Sequence, residues 1–327
     1  MLLVVALGTT GDIVPVLRYV EVVVATHSDL FPLATREIPQ SKVVSIGTLS
    51  TAGNTETERR TIASLVSFGA TEIITTLFGL DAVAVAAKTA AKCSVVATFV
   101  APDFAPPSDL MDSLPNDEAV RHWAWRLFLD DHGSLREELG LDPWPAEPLP
   151  NLVYLIEKPF LELAMQDLSI SHLPSSVSVA GSFLSIPLEP EKARQVILSN
   201  TDSVTNLLEL ADAFAIWVIN SSINSPLPVS YSDLFASGLV RTSINHGGLG
   251  TITQASQTGL RQVIVPFIFD QRLWGERLSR IGVAKCASED IADMEVGEWI
   301  LLIRWLCLNN PTVDEKVSIW RNKVLAG

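Results

Sequence analysis

Residues able to do chemistry gather in one stretch of this chain: His246-Gly247-Gly248-Leu249-Gly250-Thr251, then Val263-Ile264-Val265-Pro266-Phe267-Ile268-Phe269-Asp270-Gln271. Glycines at a strand-to-helix turn let backbone approach a ligand closely. The amino end of the helix that follows offers unpaired N–H groups and a partial positive charge to an anion. His246 adds a donor at the same spot. Asp270 beside Gln271 sets an acceptor next to an amide, which suits a polyhydroxylated group. A phosphate site and a hydroxyl-reading site on neighbouring strands together describe a nucleotide-sugar pocket.

Positioning these residues takes a strand over Leu239–Asn245, a helix running to Thr258 with Gly259 as its stop, and a second apolar strand ending in Asp270-Gln271. That order is one parallel crossover unit, whose ligands collect at the carboxyl edge of the sheet. A second loop, Gly8-Thr9-Thr10-Gly11-Asp12-Ile13-Val14-Pro15, follows the apolar strand Leu2–Leu7. Asp12 there is either a general base for a hydroxyl or a cap for the next helix, with Pro15 in its first turn. Spacing alone weighs the two equally.

HGGLGT with GLRQVIVPFIFDQRLWGERLSRIGVA resembles the donor-binding region of family 1 glycosyltransferases, above all the bacterial antibiotic and macrolide enzymes and the sterol glucosyltransferases. The loop around Asp12 resembles that group's G-x-x-G-D-x-x-P signature. The resemblance implies a GT-B fold, an α/β architecture of two Rossmann-like domains with parallel sheets facing a central cleft. The acceptor-binding domain is expected over residues 1–183 and the nucleotide-sugar donor domain over 184–327.

The implied reaction is inverting transfer of a hexose, glucose from UDP-glucose being the first choice, onto a hydroxyl of a small lipophilic acceptor. A polyketide, a phenol and a sterol would each fit. Asp12 is then the base. His246, Gly247, Gly248, Gly250 and Thr251 hold the diphosphate, and Asp270 and Gln271 the sugar. Gln254 falls where plant relatives place a ribose ligand. Thr9, Thr10, Asp103, Phe104 and Trp123 are acceptor-side candidates, although a turn role suits Asp103 and plain core suits the aromatics. The resemblance implies no cofactor beyond the nucleotide-sugar co-substrate and no metal. Alternatives are a nucleotide-sugar-binding protein without catalysis, or another GT-B enzyme such as a nucleotide-sugar epimerase or a lipid-linked glycosyltransferase.

Composition agrees with an enzyme of two cores: 327 residues, of which 48% are hydrophobic. The net charge of −14 argues against nucleic acid or an anionic membrane as partner. A nucleotide sugar is an anion too, so its site must carry local positive potential, from helix ends and His246. Cys93, Cys286 and Cys307 form no metal or redox motif and are expected as buried free thiols in a cytoplasmic protein. Met1–Leu7 lacks the basic leader of a signal peptide, and the Trp299–Leu308 run is too short to span a bilayer.

Alternating strands and helices are expected along the first half: a helix over Ile13–Val20, a strand over Glu21–Thr26, a helix over Ala82–Ala91 and a strand over Ser94–Val100. An aromatic-rich helix is expected over Val120–Leu129, with Gly133 as the terminator beside His132. Two joins look too short. The Ile13–Val20 helix meets the next strand without turn residues, and Ser185–Pro190 omits the Gly-Ser loop expected near the donor phosphates. Segments missing near 20/21 and 185/186 are the simpler explanation. The chain also stops at Ala326-Gly327, short of the terminal helix that crosses back to the first domain in the family.

Overall fold

The computed structural model describes residues 2–7, 13, 16–17, 23–37, 42–46, 55–76, 79, 81–97, 133–141, 151–167, 177–180, 208–210, 213–215, 231–238, 240–267, 270–289 and 293–326. Short runs of branched apolar residues build a seven-stranded sheet in the first half. Its strands are β1 (Leu2–Val5), β2 (Val23–Thr26), β3 (Lys42–Ser45), β4 (Glu72–Thr76), β5 (Lys92–Ala97), β6 (Leu152–Tyr154) and β7 (Val177–Val179). All pair in parallel, in the order β3-β2-β1-β4-β5-β6-β7.

Alternation along the strands divides the core in two. Leu3, Val5 and Leu7 join one cluster, while Val4 and Ala6 join the other. Ala25, Val95 and Ala97 follow the first pattern, Val24 and Val96 the second. A strand buried on both faces must be apolar throughout, which is why β1 reads Leu-Leu-Val-Val. Each such side chain contributes roughly 1.5–3 kcal/mol.

Helices cover both faces. One cluster takes up α2 (Thr55–Ser64), α3 (Asp81–Thr89) and α5 (Lys158–Asp167). The other takes up α1 (Phe31–Glu37) and the helical residues Ile13, Val16 and Leu17, whose three- and four-residue spacing puts them on one face. α3 ends where Ala90 adopts a φ of +56°. Gly133 opens the short helix α4 (Gly133–Glu138) instead of ending a helix. Gly140, at φ +66°, lies just past its end. The expected helix over 120–129, both short joins and the boundary at 183 lie outside the described residues.

Buried threonines close the carboxyl edge of this sheet. Thr26 Oγ1 donates to the Ala6 carbonyl at 2.7 Å, and Thr76 Oγ1 to the Leu7 carbonyl at 2.7 Å while accepting the Leu7 N–H at 3.1 Å. The last residues of the first chain segment are thus fastened to both neighbouring strands. Strand order reverses at β1, which lies between β2 and β4, so β1 ends at a topological switch point.

The second half contains an antiparallel pair, β8 (Leu208–Leu210) and β9 (Ala213–Ala215), and the short helix α6 (Tyr231–Ala236). An antiparallel pair departs from the expectation of parallel strands. Only Ala211 and Asp212 join the two, too few for a parallel crossover. The parallel unit follows: β10 (Thr242–Asn245), α7 (Leu249–Thr258), β11 (Arg261–Ile264), α8 (Gln271–Arg280) and β12 (Ala284–Cys286), with strand order β10-β11-β12. α9 (Val296–Cys307) and α10 (Pro311–Ala326) complete the chain.

Several expectations need correction. Asp270 and Gln271 do not end β11, which stops at Ile264; Pro266 cannot donate to a ladder, and the two residues instead head α8. β10 starts at Thr242 instead of Leu239. The crossing-back helix is present: α10 packs on α5 through the Phe160–Trp320 edge-to-face contact at 5.2 Å and the Glu162–Lys323 ion pair at 2.9 Å. Of the cysteines only Cys93 is buried. Cys286 is intermediate and Cys307 exposed on α9.

Candidate functional site

The nucleotide-sugar pocket expected from the sequence depends on two loops meeting, and strand register brings them together. Asn245 is paired with Ile264 across β10 and β11, so residues 246–248 and the segment after Ile264 leave the same edge side by side. Gly247, at φ +89°, makes the turn; a Cβ there would lie 2.7 Å from Ile264 Cγ2 and 3.0 Å from the Gln271 carbonyl. Only glycine permits that contact. Gly248 is the N-cap of α7, and a Cβ on it would lie 2.6 Å from His246 Nε2. The imidazole therefore lies over Gly248.

Asn245 holds the turn from within. Its Oδ1 accepts the Gly247 N–H at 2.9 Å, while its Nδ2 donates to Ser243 Oγ at 2.8 Å and to Gln262 Oε1 at 3.3 Å. Gln262 Nε2 in turn donates to Ser256 Oγ at 3.2 Å, which also accepts from Trp320 Nε1 at 3.1 Å. The loop is thereby connected through buried polar groups to α10. Sequence reading passed over Asn245 and Gln262. The signal was available in an amide within each of two neighbouring strands, where a branched residue would otherwise be favoured.

The first intrahelical bond of α7 runs from the Ile252 N–H to the Gly248 carbonyl at 3.1 Å. The N–H groups of Leu249, Gly250 and Thr251 therefore have no acceptor within the helix and form the positive end of its dipole. α8 begins alongside, its first bond running from the Trp274 N–H to the Asp270 carbonyl at 3.1 Å. Two helix amino ends open onto one sheet edge, a setting for a diphosphate. His246 contributes differently from expectation. Burial lowers its pKa below 6.5, so at pH 7 it is a neutral ring and the helix ends supply the standing positive potential. The residue as a whole is nonetheless exposed, so a ligand can reach it.

Asp270 makes no side-chain bond to the amino end of α8. Its Oδ2 accepts instead from Trp274 Nε1 at 2.6 Å. Gln271 is buried, and its Oε1 accepts the Phe267 N–H at 2.8 Å. On α7, Gln254 Oε1 is buried and has no hydrogen-bond partner among the described residues. The structure thus gathers His246, Gly247, Gly248, Gly250, Thr251, Asp270 and Gln271 at one edge, with Gln254 on the helix that opens there. Thr9, Thr10, Asp12, Asp103, Phe104 and Trp123 lie outside the described residues. The two ends flanking the Asp12 loop are described: Leu7, fastened by Thr76, and Ile13, buried.

Two parallel sheets, the first with its order reversing at β1 and the second with a glycine turn and paired helix ends at its edge, define an α/β protein of the GT-B fold. Solved structures with this architecture match nearly the whole chain. The glycotransferase of kitacinnamycin has a TM-score of 0.65 at 14% identity, covering 99% of this chain and 94% of its own. LpCGTa in complex with UDP has a TM-score of 0.64 at 12% identity, covering 99% and 94%. UGT2 of Phytolacca americana, complexed with UDP-2fluoro-glucose and pterostilbene, has 0.63 at 11%, covering 98% and 93%. In sequence, the UDP-sugar-dependent glycosyltransferase 52 of Dictyostelium discoideum is 35% identical over 92 residues, 28% of this chain and 5% of that protein. The chain thus spans only a small part of that relative's length. No protein-family model matches.

Proposed function

We propose that the chain is a glycosyltransferase that moves a hexose from a nucleoside diphosphate to a hydroxyl of a small lipophilic acceptor, with inversion at the anomeric carbon. The observation that carries this reading is the close seating of the Gly247 turn against the first residue of α8, which sets two helix amino ends beside one another. A diphosphate there accepts from the N–H groups of Gly250 and Thr251 and from His246. Asp270 and Gln271 take the sugar. Gln254, on α7, is assigned to a ribose hydroxyl. UDP-glucose is the donor of choice, because a carboxylate beside an amide suits equatorial hydroxyls.

The acceptor oxygen attacks the anomeric carbon from the face opposite the diphosphate. Asp12, on the loop after β1, takes its proton, and the bond to the β-phosphate oxygen breaks with its electron pair leaving on UDP. Neutralising that departing charge is the work of the α7 amino end. No group in this scheme requires a metal.

The test is calorimetry with UDP and UDP-glucose, followed by transfer assays on a panel of phenols, sterols and polyketides. The parent is expected to bind both nucleotides and to turn over. Asp12→Asn should keep binding and lose activity by about 100-fold or more. Binding without turnover on any acceptor would make the chain a nucleotide-sugar-binding protein. Absence of UDP binding would remove the reading.

A further inference from the structure

The Asp270 carboxylate is not spent on capping α8, although it occupies the position where a cap belongs. It reaches forward to the indole of Trp274 at 2.6 Å. That indole has no room to move. It is 1% exposed, the Arg277 guanidinium lies 4.7 Å from its ring centroid, and Phe160 of the first half meets it edge-on at 5.8 Å and 80°. Arg277 is itself held by the Asp167 carboxylate, Nε to Oδ2 at 2.6 Å. Gly275 lets α8 approach the sheet. A Cβ there would lie 2.5 Å from Cys286 Sγ. The bond to the indole fixes the direction in which the Asp270 carboxylate is offered.

We propose that Trp274 is a positioning residue that sets donor-sugar selectivity by holding Asp270 through its indole N–H. The inference rests on the proposed function, and it adds a residue that never touches the ligand. Packing needs the ring but not its N–H; aiming a carboxylate requires the N–H. The arrangement also places the hinge of sugar recognition on contacts from the first half, Phe160 directly and Asp167 through Arg277.

Calorimetry on Trp274→Phe separates the possibilities. UDP, which lacks the sugar, should bind the variant as it binds the parent. UDP-glucose should bind about tenfold more weakly, the scale of one hydrogen bond to a charged group. The preference for UDP-glucose over UDP-galactose should narrow by a similar factor. Equal loss for UDP and UDP-glucose, or no loss for either, overturns the positioning role. A parent that binds no UDP sinks the proposed function instead. Should Trp274→Phe not fold, the downfield indole N–H resonance of Trp274 in the parent serves. Movement with UDP-glucose but not with UDP supports the inference, and equal or no movement overturns it.

Discussion

His246 shows how a residue legible in sequence acquires its electrical state only in the fold. Desolvation by the neighbouring turn lowers its pKa, so the free protein holds it neutral at pH 7. A bound diphosphate favours the imidazolium and raises that pKa, so binding must take up protons as pH falls toward the histidine's range. UDP-glucose is therefore expected to bind more tightly at pH 6 than at pH 8, with proton uptake visible by calorimetry in buffers of different ionisation enthalpy. The sugar nucleotide lacks the terminal phosphate that titrates in this range in UDP, so the uptake reports on the protein. His246→Asn should flatten the dependence. A pH-independent affinity in the parent would place the imidazole away from the phosphates. The glycines beside it were readable as a close-approach turn. Their particular neighbours, Ile264 and the Gln271 carbonyl, were not, because contacts across strands carry no local signature.

At the scale of elements, helix α7 matched its reading to the residue at its C-terminal end, since Gly259 at φ +75° stops it with bonds back to Ala255 and Ser256. Strand ends were harder. Apolar residues continue past Ile264 to Phe267, and composition cannot tell the end of a ladder from an apolar loop. The proline decides it, together with the Gln271 amide that accepts the Phe267 N–H. The antiparallel pair β8–β9 escaped for a related reason: three-residue strands leave too short a periodic signal to read. α10 was missed by reasoning from the chain's length. Its sequence holds the needed signs, Val317, Trp320 and Val324 at three- and four-residue spacing, and those three are its buried positions. Trp320 then serves two roles, sealing the α5 contact with its ring and donating to Ser256 with its N–H.

Among the described residues, contacts on α5 tie the two halves together. Asp167 receives Arg277 and Arg280, Phe160 meets Trp274 and Trp320, and Glu162 pairs with Lys323. The Asp167–Arg277 pair is the buried one. Arg277 is 5% exposed, and desolvation pulls its pKa down while Asp167 pushes it back up. Removing the carboxylate strands a desolvated guanidinium. Asp167→Ala should therefore destabilise by about 2–4 kcal/mol, somewhat under the full figure for a buried pair because Asp167 is partly exposed. Chemical denaturation followed by tryptophan fluorescence checks it. Retained stability would assign the coupling of the halves to the remaining contacts, the aromatic pairs and Glu162–Lys323. None of these partners lie near one another in sequence, so the coupling was invisible before folding.

The unequal accommodation of the three thiols governs how the protein ages in air. Burial pushes Cys93 up to about 12 and Cys286 up to about 11, so neither forms appreciable thiolate near neutrality. Cys307 alone stands on the surface, on the solvent side of α9. Slow oxidation should thus join chains in pairs through that residue and go no further, giving a doubled band on a non-reducing gel that Cys307→Ser abolishes. Larger ladders would mean that a second sulfur is reachable.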